Sequence, residues 1–243
     1  MKTLLLVSSL ALTACFTTPA QAQRKSKSKN KTEAAPTTIA TASRIQPLFG
    51  GLSAAQAEQA LGATYLGNIQ KSFASRAEAS DFFTTKGFEY LSEGQSDTAV
   101  YRFNLAWVLN PKNPLPYRGL GVVASQQPSP DAAIDLLNQA QALAPTDNMI
   151  LSDLGSLYLI RYEQGKKKKD LTTSTEFLQK ALAADSTNAV AWQQMARVHY
   201  LQEDYAKAWS AVHQGQKYSV ASIDFNFITE LIAKQPDPQG TFK

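Results

Sequence analysis

From Ser53 onward the chain carries apolar side chains at helical spacing. The stretch AAQAEQALGATYLGNIQKSF sets Ala57, Leu61, Tyr65 and Ile69 four residues apart, a period that lines one face of a helix. Ser53, with Gln56 three residues on, makes a capping-box start. This predicts one N-terminal helix that packs as a cap on the segments C-terminal to it. Near the other end, IDFNFITELIAKQ gives a second stripe of Phe225, Ile228, Leu231 and Ile232, with Lys234 in the last turn and Pro236 as a stop. That helix is expected to close the structure, and PDPQGTFK after it to fray. No run of β-branched residues alternates convincingly with polar ones, so the predicted class is all-α.

Between these two helices one pattern repeats. Counted from Ser80, small residues stand at Gly87, Ala99 and Ala106, larger ones at Phe83, Tyr90 and Phe103, and Pro111 closes the segment. A step of 34 residues meets Tyr117, Gly121, Ala124, Ala133, Leu137, Ala140 and Pro145. Another step gives Leu151, Gly155 and Tyr158; the register then slips by seven residues and resumes with Ser174, Leu178 and Ala181. The slip falls around RYEQGKKKKDLTT. A last unit from Ala189 gives Trp192, Ala196, His199, Ala208, Val212, Gly215 and Val220. The small residues let two antiparallel helices approach closely, the larger ones fill the remaining space, and proline ends the second helix. One such unit cannot bury its own apolar face, whereas three or more stacked units can.

This series resembles the tetratricopeptide repeat (TPR). The first unit meets all seven signature positions and the second meets six, with Ala124 in place of the usual Tyr; the fourth departs at His199 and Val220. The resemblance covers Ser80 to Ser222. It implies an all-α, right-handed superhelical solenoid of about four helix pairs with N- and C-terminal capping helices. The expected segments are a cap over 47–79, units at 80–113, 114–147, 148–188 (with an inserted loop) and 189–222, and a closing helix and tail over 223–243. The resemblance also implies that the first helices of successive units line a concave groove. Asp81, Thr84, Phe88, Arg118, Val122, Ser152, Ser156, Gln193, Arg197 and Tyr200 would face into it. There Phe88, Val122 and Tyr200 would offer apolar contacts, and Arg118 and Arg197 would pair acidic groups of a protein or peptide partner. Some members of the family clamp a C-terminal carboxylate with Lys and Asn; Thr84 and Phe88 stand at those places here, so that mode is not expected.

The N-terminus adds a destination. MKTLLLVSSLALTACFTTPAQAQ joins Lys2 to an apolar run from Leu4 to Ala14. The run is too short to span a bilayer of about 30 Å and reads as an export signal over residues 1–22. Two processing sites compete. Ala20-Gln21-Ala22 is an A-x-A cleavage site. Leu12-Thr13-Ala14-Cys15 resembles a bacterial lipobox, in which Cys15 becomes the lipidated first residue and tethers the chain to a membrane, although Phe16 is an unusual neighbour for it. Either route implies an exported protein of the periplasm or cell envelope. Residues 23–46, rich in Lys, Ser, Thr and Ala, are expected to form a disordered linker.

Charge changes the picture of the partner. The net charge is +4, but Arg24, Lys25, Lys27, Lys29, Lys31 and Arg44 face only Glu33 in the linker. Setting aside that +5 and Lys2 leaves −2 for residues 47–243, which argues against a nucleic-acid surface on the repeats. The one cysteine, Cys15, permits no disulfide within the chain. His199 and His213 are 14 residues apart and read as a packing and a more exposed position, without the spacing of a metal pair. No nucleophile–base set or carboxylate pair assembles, so neither catalysis nor a cofactor is expected. Lys166, Lys167, Lys168 and Lys169 form a basic loop that could meet an anionic lipid, polymer or acidic partner, or serve as a solvated connection. The expectation is a non-enzymatic scaffold that binds another protein or peptide through its groove in envelope assembly, with a membrane- or polymer-associated binding module using the basic tail and the lysine loop as the alternative.

Overall fold

The computed structural model describes residues 41–243; the export signal, Cys15 and the linker up to residue 40 lie outside the described residues. Order begins earlier than expected. α1 (Thr41–Arg44) and α2 (Leu48–Gly51) precede the first long helices. α2 is a single turn in which Leu48, Phe49, Gly50 and Gly51 all have positive φ, a conformation that costs non-glycine residues about 1–2 kcal/mol each. Two contacts hold it there. Phe49 is buried and meets Tyr101 edge-on. Asn104, wholly buried, accepts a hydrogen bond from Leu48 N (2.8 Å) and donates to the carbonyls of Arg44 and Gln46. The end of the expected linker is thus stapled to the repeats, because one side-chain amide satisfies three of its backbone groups.

The predicted N-terminal helix is two helices, α3 (Ala54–Leu61) and α4 (Ala63–Gln70). The capping box at Ser53 and Gln56 is present. Gly62, at φ +86°, ends one helix and starts the other, a conformation glycine reaches without steric cost. The break rotates the apolar face: Leu66 is buried in α4, while Tyr65 is exposed and its hydroxyl meets that of Tyr101 at 3.0 Å.

Four antiparallel pairs come next: α5 (Arg76–Ser92) with α6 (Ser96–Leu109), α7 (Pro114–Ala124) with α8 (Asp131–Leu143), α9 (Asn148–Gly165) with α10 (Lys168–Ala184), and α11 (Ala189–Leu201) with α12 (Tyr205–Tyr218). A 3-10 turn at Val220–Ser222 leads into α13 (Phe225–Lys234). Among the described residues there is no strand, and no helix is long and apolar enough to cross a membrane. In the first three pairs the small signature residue of the first helix receives the large one of its partner. A methyl added at Gly87 would overlap the ring of Phe103; at Gly121 it would meet Leu137 at 2.9 Å, and at Gly155 it would meet Leu178 at 2.6 Å. These contacts sit in a core that passes along the solenoid in three overlapping stretches, from Phe49 to Leu157, Leu151 to Val198 and Ala196 to Leu231. Each repeat therefore rests on its neighbours.

The seven-residue slip is no inserted loop. It lengthens both helices of the third pair, to 18 residues in α9 and 17 in α10. Only Lys166, at φ +53°, and Lys167 lie between them. Arg161 fastens this extension: its guanidinium donates to Asp170 at 2.8 Å and to Asp131 of α8 at 3.1 Å, and lies 4.7 Å from the Tyr158 ring centre. Lys168 and Lys169 fall in the first turn of α10, so the expected basic loop is a tight hairpin tip with four exposed lysines.

The tail does not fray. Asp237 Oδ1 meets His213 Nε2 at 2.7 Å and accepts from Gln239 N, while Oδ2 accepts from Thr241 N and Phe242 N. Burial opposes its charge, but these donors outweigh burial and hold the Asp237 carboxyl below the usual range. The Phe242 ring stacks on Trp209 and His213 at about 6 Å. His213, read from sequence as the more exposed histidine, is 5 % exposed. The tail covers it, and no helical periodicity encodes that contact.

Candidate partner-binding groove

The first helices α5, α7, α9 and α11 run side by side, with α13 continuing the row. α5 packs on α7 and α9 on α11, whereas α7 and α9 stand further apart. Start caps fix where each helix begins: Asn113 donates to Asp81 and accepts from Leu115 N, and Asn188 donates to Asn148. The residues expected in the groove divide accordingly. Thr84, Ser152 and Gln193 are buried, so they do not form the open face expected of them, although Gln193 still edges the cleft between α9, α11 and α13. Thr84 donates back to the carbonyl of Ser80, whereas Ser152 Oγ and both amide atoms of Gln193 have no partner. Asp81 is exposed; Phe88, Val122, Ser156, Arg197 and Tyr200 are half-buried along the face. Tyr200 is partly capped by Phe227 of α13, whose ring it meets at 5.5 Å.

Both arginines already have partners. Arg118 Nε donates to Asp153 at 2.7 Å across the α7–α9 junction and lies over the Phe88 ring. Arg197 donates to Glu163 at 3.0 Å, reaches Glu230 of α13 at 3.5 Å and covers Phe227. Burial raises the Asp153 carboxyl above its ordinary range despite Arg118. For Arg197 burial works against the charge, but Glu163, Glu230 and Asp224 more than offset it and raise its pKa. The expected capture of acidic ligand groups by these arginines therefore meets a face on which carboxylates have claimed them first.

Two clefts open along the row. One, of about 130 Å³, lies at the loose α7–α9 junction over Val122, Ser125, Leu157 and Ile160, beside Asp153. The other, of about 260 Å³, lies between α9, α11 and α13 and is lined by Ile160, Glu163, Gln193, Arg197, Asp224 and Phe227. Ile160 belongs to both. Sequence reasoning passed over Ile160, Asp153, Glu163 and Asp224. Glu163 reaches the groove only because α9 continues for an extra turn, which no repeat register announces. Leu115, Met149 and Val190 also escaped notice. Each is the second residue of its helix and each is 37–45 % exposed, so a signal was available in the recurrence of large apolar residues at that position. Among the described residues no cluster of three His, Cys, Asp or Glu side chains could hold a metal.

No protein-family profile matches this chain, and no curated protein matches it in sequence. Solved structures do. TTC0263, a thermophilic TPR protein of Thermus thermophilus, is 18 % identical with a TM-score of 0.54; the alignment covers 64 % of this chain and 87 % of that one. The Cut9–Hcn1 hetero-tetramer of the APC/C gives 19 % identity and a TM-score of 0.52, covering 75 % of this chain and 36 % of that one. At such identities what is shared is the fold. With four helix pairs in register, the chain is a TPR-like helical repeat protein, an all-α solenoid.

Proposed function

We propose that the chain is a binding scaffold that holds a segment of another protein against its first-helix face, and that it acts outside the cytoplasm. The observation that carries the reading is the loose α7–α9 junction. There an apolar cleft over Val122 and Ile160 stays open, although within the pairs Gly87, Gly121 and Gly155 are closed by Phe103, Leu137 and Leu178. Exposed Leu115, Met149 and Val190 extend apolar surface along the same helices. Isolated exposed apolar residues are ordinary, but a series at one repeat position is the kind of surface that a bound segment covers. Export rests on the sequence of residues 1–22, with a role in envelope assembly as the setting.

The test is capture from the native envelope with the wild-type chain and with Val122→Glu plus Ile160→Glu. A partner retained by the first and lost by the second, with unchanged helical circular dichroism, is the expected result. Equal recovery by both would sink the groove. Mass spectrometry of the mature N-terminus checks the destination: a lipid on Cys15 or a start after Ala22 supports export, and an intact Met1 contradicts it.

A further inference from the structure

The two clefts differ in chemistry, and the difference names the ligand. Around the larger one stand Glu163, Glu230 and Asp224 against the single charge of Arg197. Exposure is uneven in the same sense: the side chain of Arg197 is 31 % exposed, Glu163 34 % and Glu230 47 %. At the smaller cleft Arg118 is 16 % exposed and its partner Asp153 23 %. The arginines are folded over Phe88 and Phe227; of the carboxylates Glu230 is the most exposed, while Asp153 is largely buried. Gln193, 7 % exposed, lies at the floor of the larger cleft with neither amide atom bonded. A buried amide without a partner is costly, and a polar ligand group at this cleft could supply one.

We infer that the groove takes a partner segment with an aliphatic side chain seated over Val122 and Ile160 and a lysine or arginine seated one repeat further on, among Glu163, Asp224 and Glu230. This rests on the groove reading and adds its specificity. The aliphatic group sits in a cleft of about 130 Å³ lined by Val122, Leu157 and Ile160. The cation would join a cluster in which Glu163, Glu230 and Asp224 stand against one guanidinium, Asp224 also capping α13 by accepting from Asn226 N and Phe227 N. Charge complementarity of this kind selects partners and speeds their encounter. An acidic segment would meet like charge at every exposed carboxylate and find both guanidinium groups occupied.

The test is selection of random dodecapeptides displayed on phage against the full chain at about 0.1 M salt, where exposed charges still act over about 10 Å. The expected sequences combine Lys or Arg with Leu, Ile or Val and are poor in Asp and Glu. As synthetic peptides they should bind about tenfold more weakly to Glu163→Gln plus Glu230→Gln, one charge-assisted contact being worth about 1.4 kcal/mol or more. They should fail on Ile160→Trp, which places an indole at the residue the two clefts share. The chain's own RKSKSKNK, residues 24–31, supplies charge without an aliphatic group and should bind at least about tenfold more weakly than the selected peptides. Acidic sequences, indifference to the Glu→Gln pair, or equal binding by RKSKSKNK would overturn the inference while leaving the groove intact. Sequences that bind Ile160→Trp undiminished, or no enrichment at all, would remove the groove reading itself. Thermal melts of each variant separate lost binding from lost fold.

Discussion

A single ring position decides how closely the first pair can pack. Phe103 is fully buried, and a methyl at either Gly87 or Gly119 would overlap it, so the ring is clamped by α5 and α7 together. Gly87→Ala gains about 1 kcal/mol in helix propensity, but overpacking a core costs about 1–3 kcal/mol, and here Phe103 has no direction in which to retreat. We expect Gly87→Ala to lower Tm by several degrees in a circular-dichroism melt. Gly67→Ala is the control: it is also helical, nothing lies within 4 Å of its added methyl, and the same propensity term should raise Tm slightly. Equal effects at the two glycines would show that the Phe103 contact is not what sets the helix distance. His199 makes the corresponding electrostatic case. Burial lowers its pKa, outweighing Gln202 and Asp204, and its Nδ1 has no partner. A base with a depressed folded-state pKa contributes stability that is present above its unfolded value of about 6.5 and is lost as pH falls through that value toward the folded one. Denaturant midpoints taken at pH 7.5 and 5.5 should therefore fall further for the wild type than for His199→Phe. Parallel losses would mean that His199 titrates as it does in the unfolded chain.

At the scale of elements, what the sequence made legible were contacts between signature residues, and what it hid were the consequences of extra length. The register located Gly155 and Leu178 as partners across the seven-residue slip, and they do meet. It treated the slipped residues as a loop, since a repeat pattern has no place for them. Chemistry in and beside them argues otherwise: Tyr158 stacks on Phe177 at 5.7 Å, and Arg161 joins Asp170 to Asp131. Those contacts favour two longer helices over a seven-residue excursion, and the gain in α9 then delivers Glu163 to Arg197. Burial explains the remaining misplacements. A groove position inferred from repeat numbering holds only where the side chain stays open to that face, and Thr84, Ser152 and Gln193 are buried. Gly62 was visible, but a single helix-interior glycine costs only about 1 kcal/mol, so periodicity alone does not reveal that it splits α3 from α4. Asn104 gave no local signal, because its three backbone partners lie 56 to 60 residues away in sequence.

Over the whole molecule, stability in a solenoid is passed between neighbours, so the end units depend on what closes them. At the C-terminal end α13 covers Tyr200 with Phe227, and the tail covers Trp209 and His213 with Phe242. Trp209 is fully buried and its indole nitrogen donates to Gln235 O at 2.9 Å. Asp237 holds the tail in place with four hydrogen bonds to groups that otherwise face solvent or each other. Ending the chain at Gln235 keeps α13 but removes Asp237 and Phe242. It should strip one face of Trp209 and leave His213 Nε2 without its partner. Because coupling runs through adjacent repeats, the loss should be graded along the chain. Hydrogen exchange in the shortened protein should quicken most in α11, α12 and α13, less in α9 and α10, and little in α5 to α8. Uniform quickening would mean that the solenoid opens as one unit. Unchanged exchange in α12 would mean that the tail rests on a surface already stable without it. A graded loss would also bear on binding, since α13 carries Asp224, Phe227 and Glu230 at its start and along its length, and a loosened end helix would blur one wall of the larger cleft while leaving the cleft at Val122 and Ile160 in place.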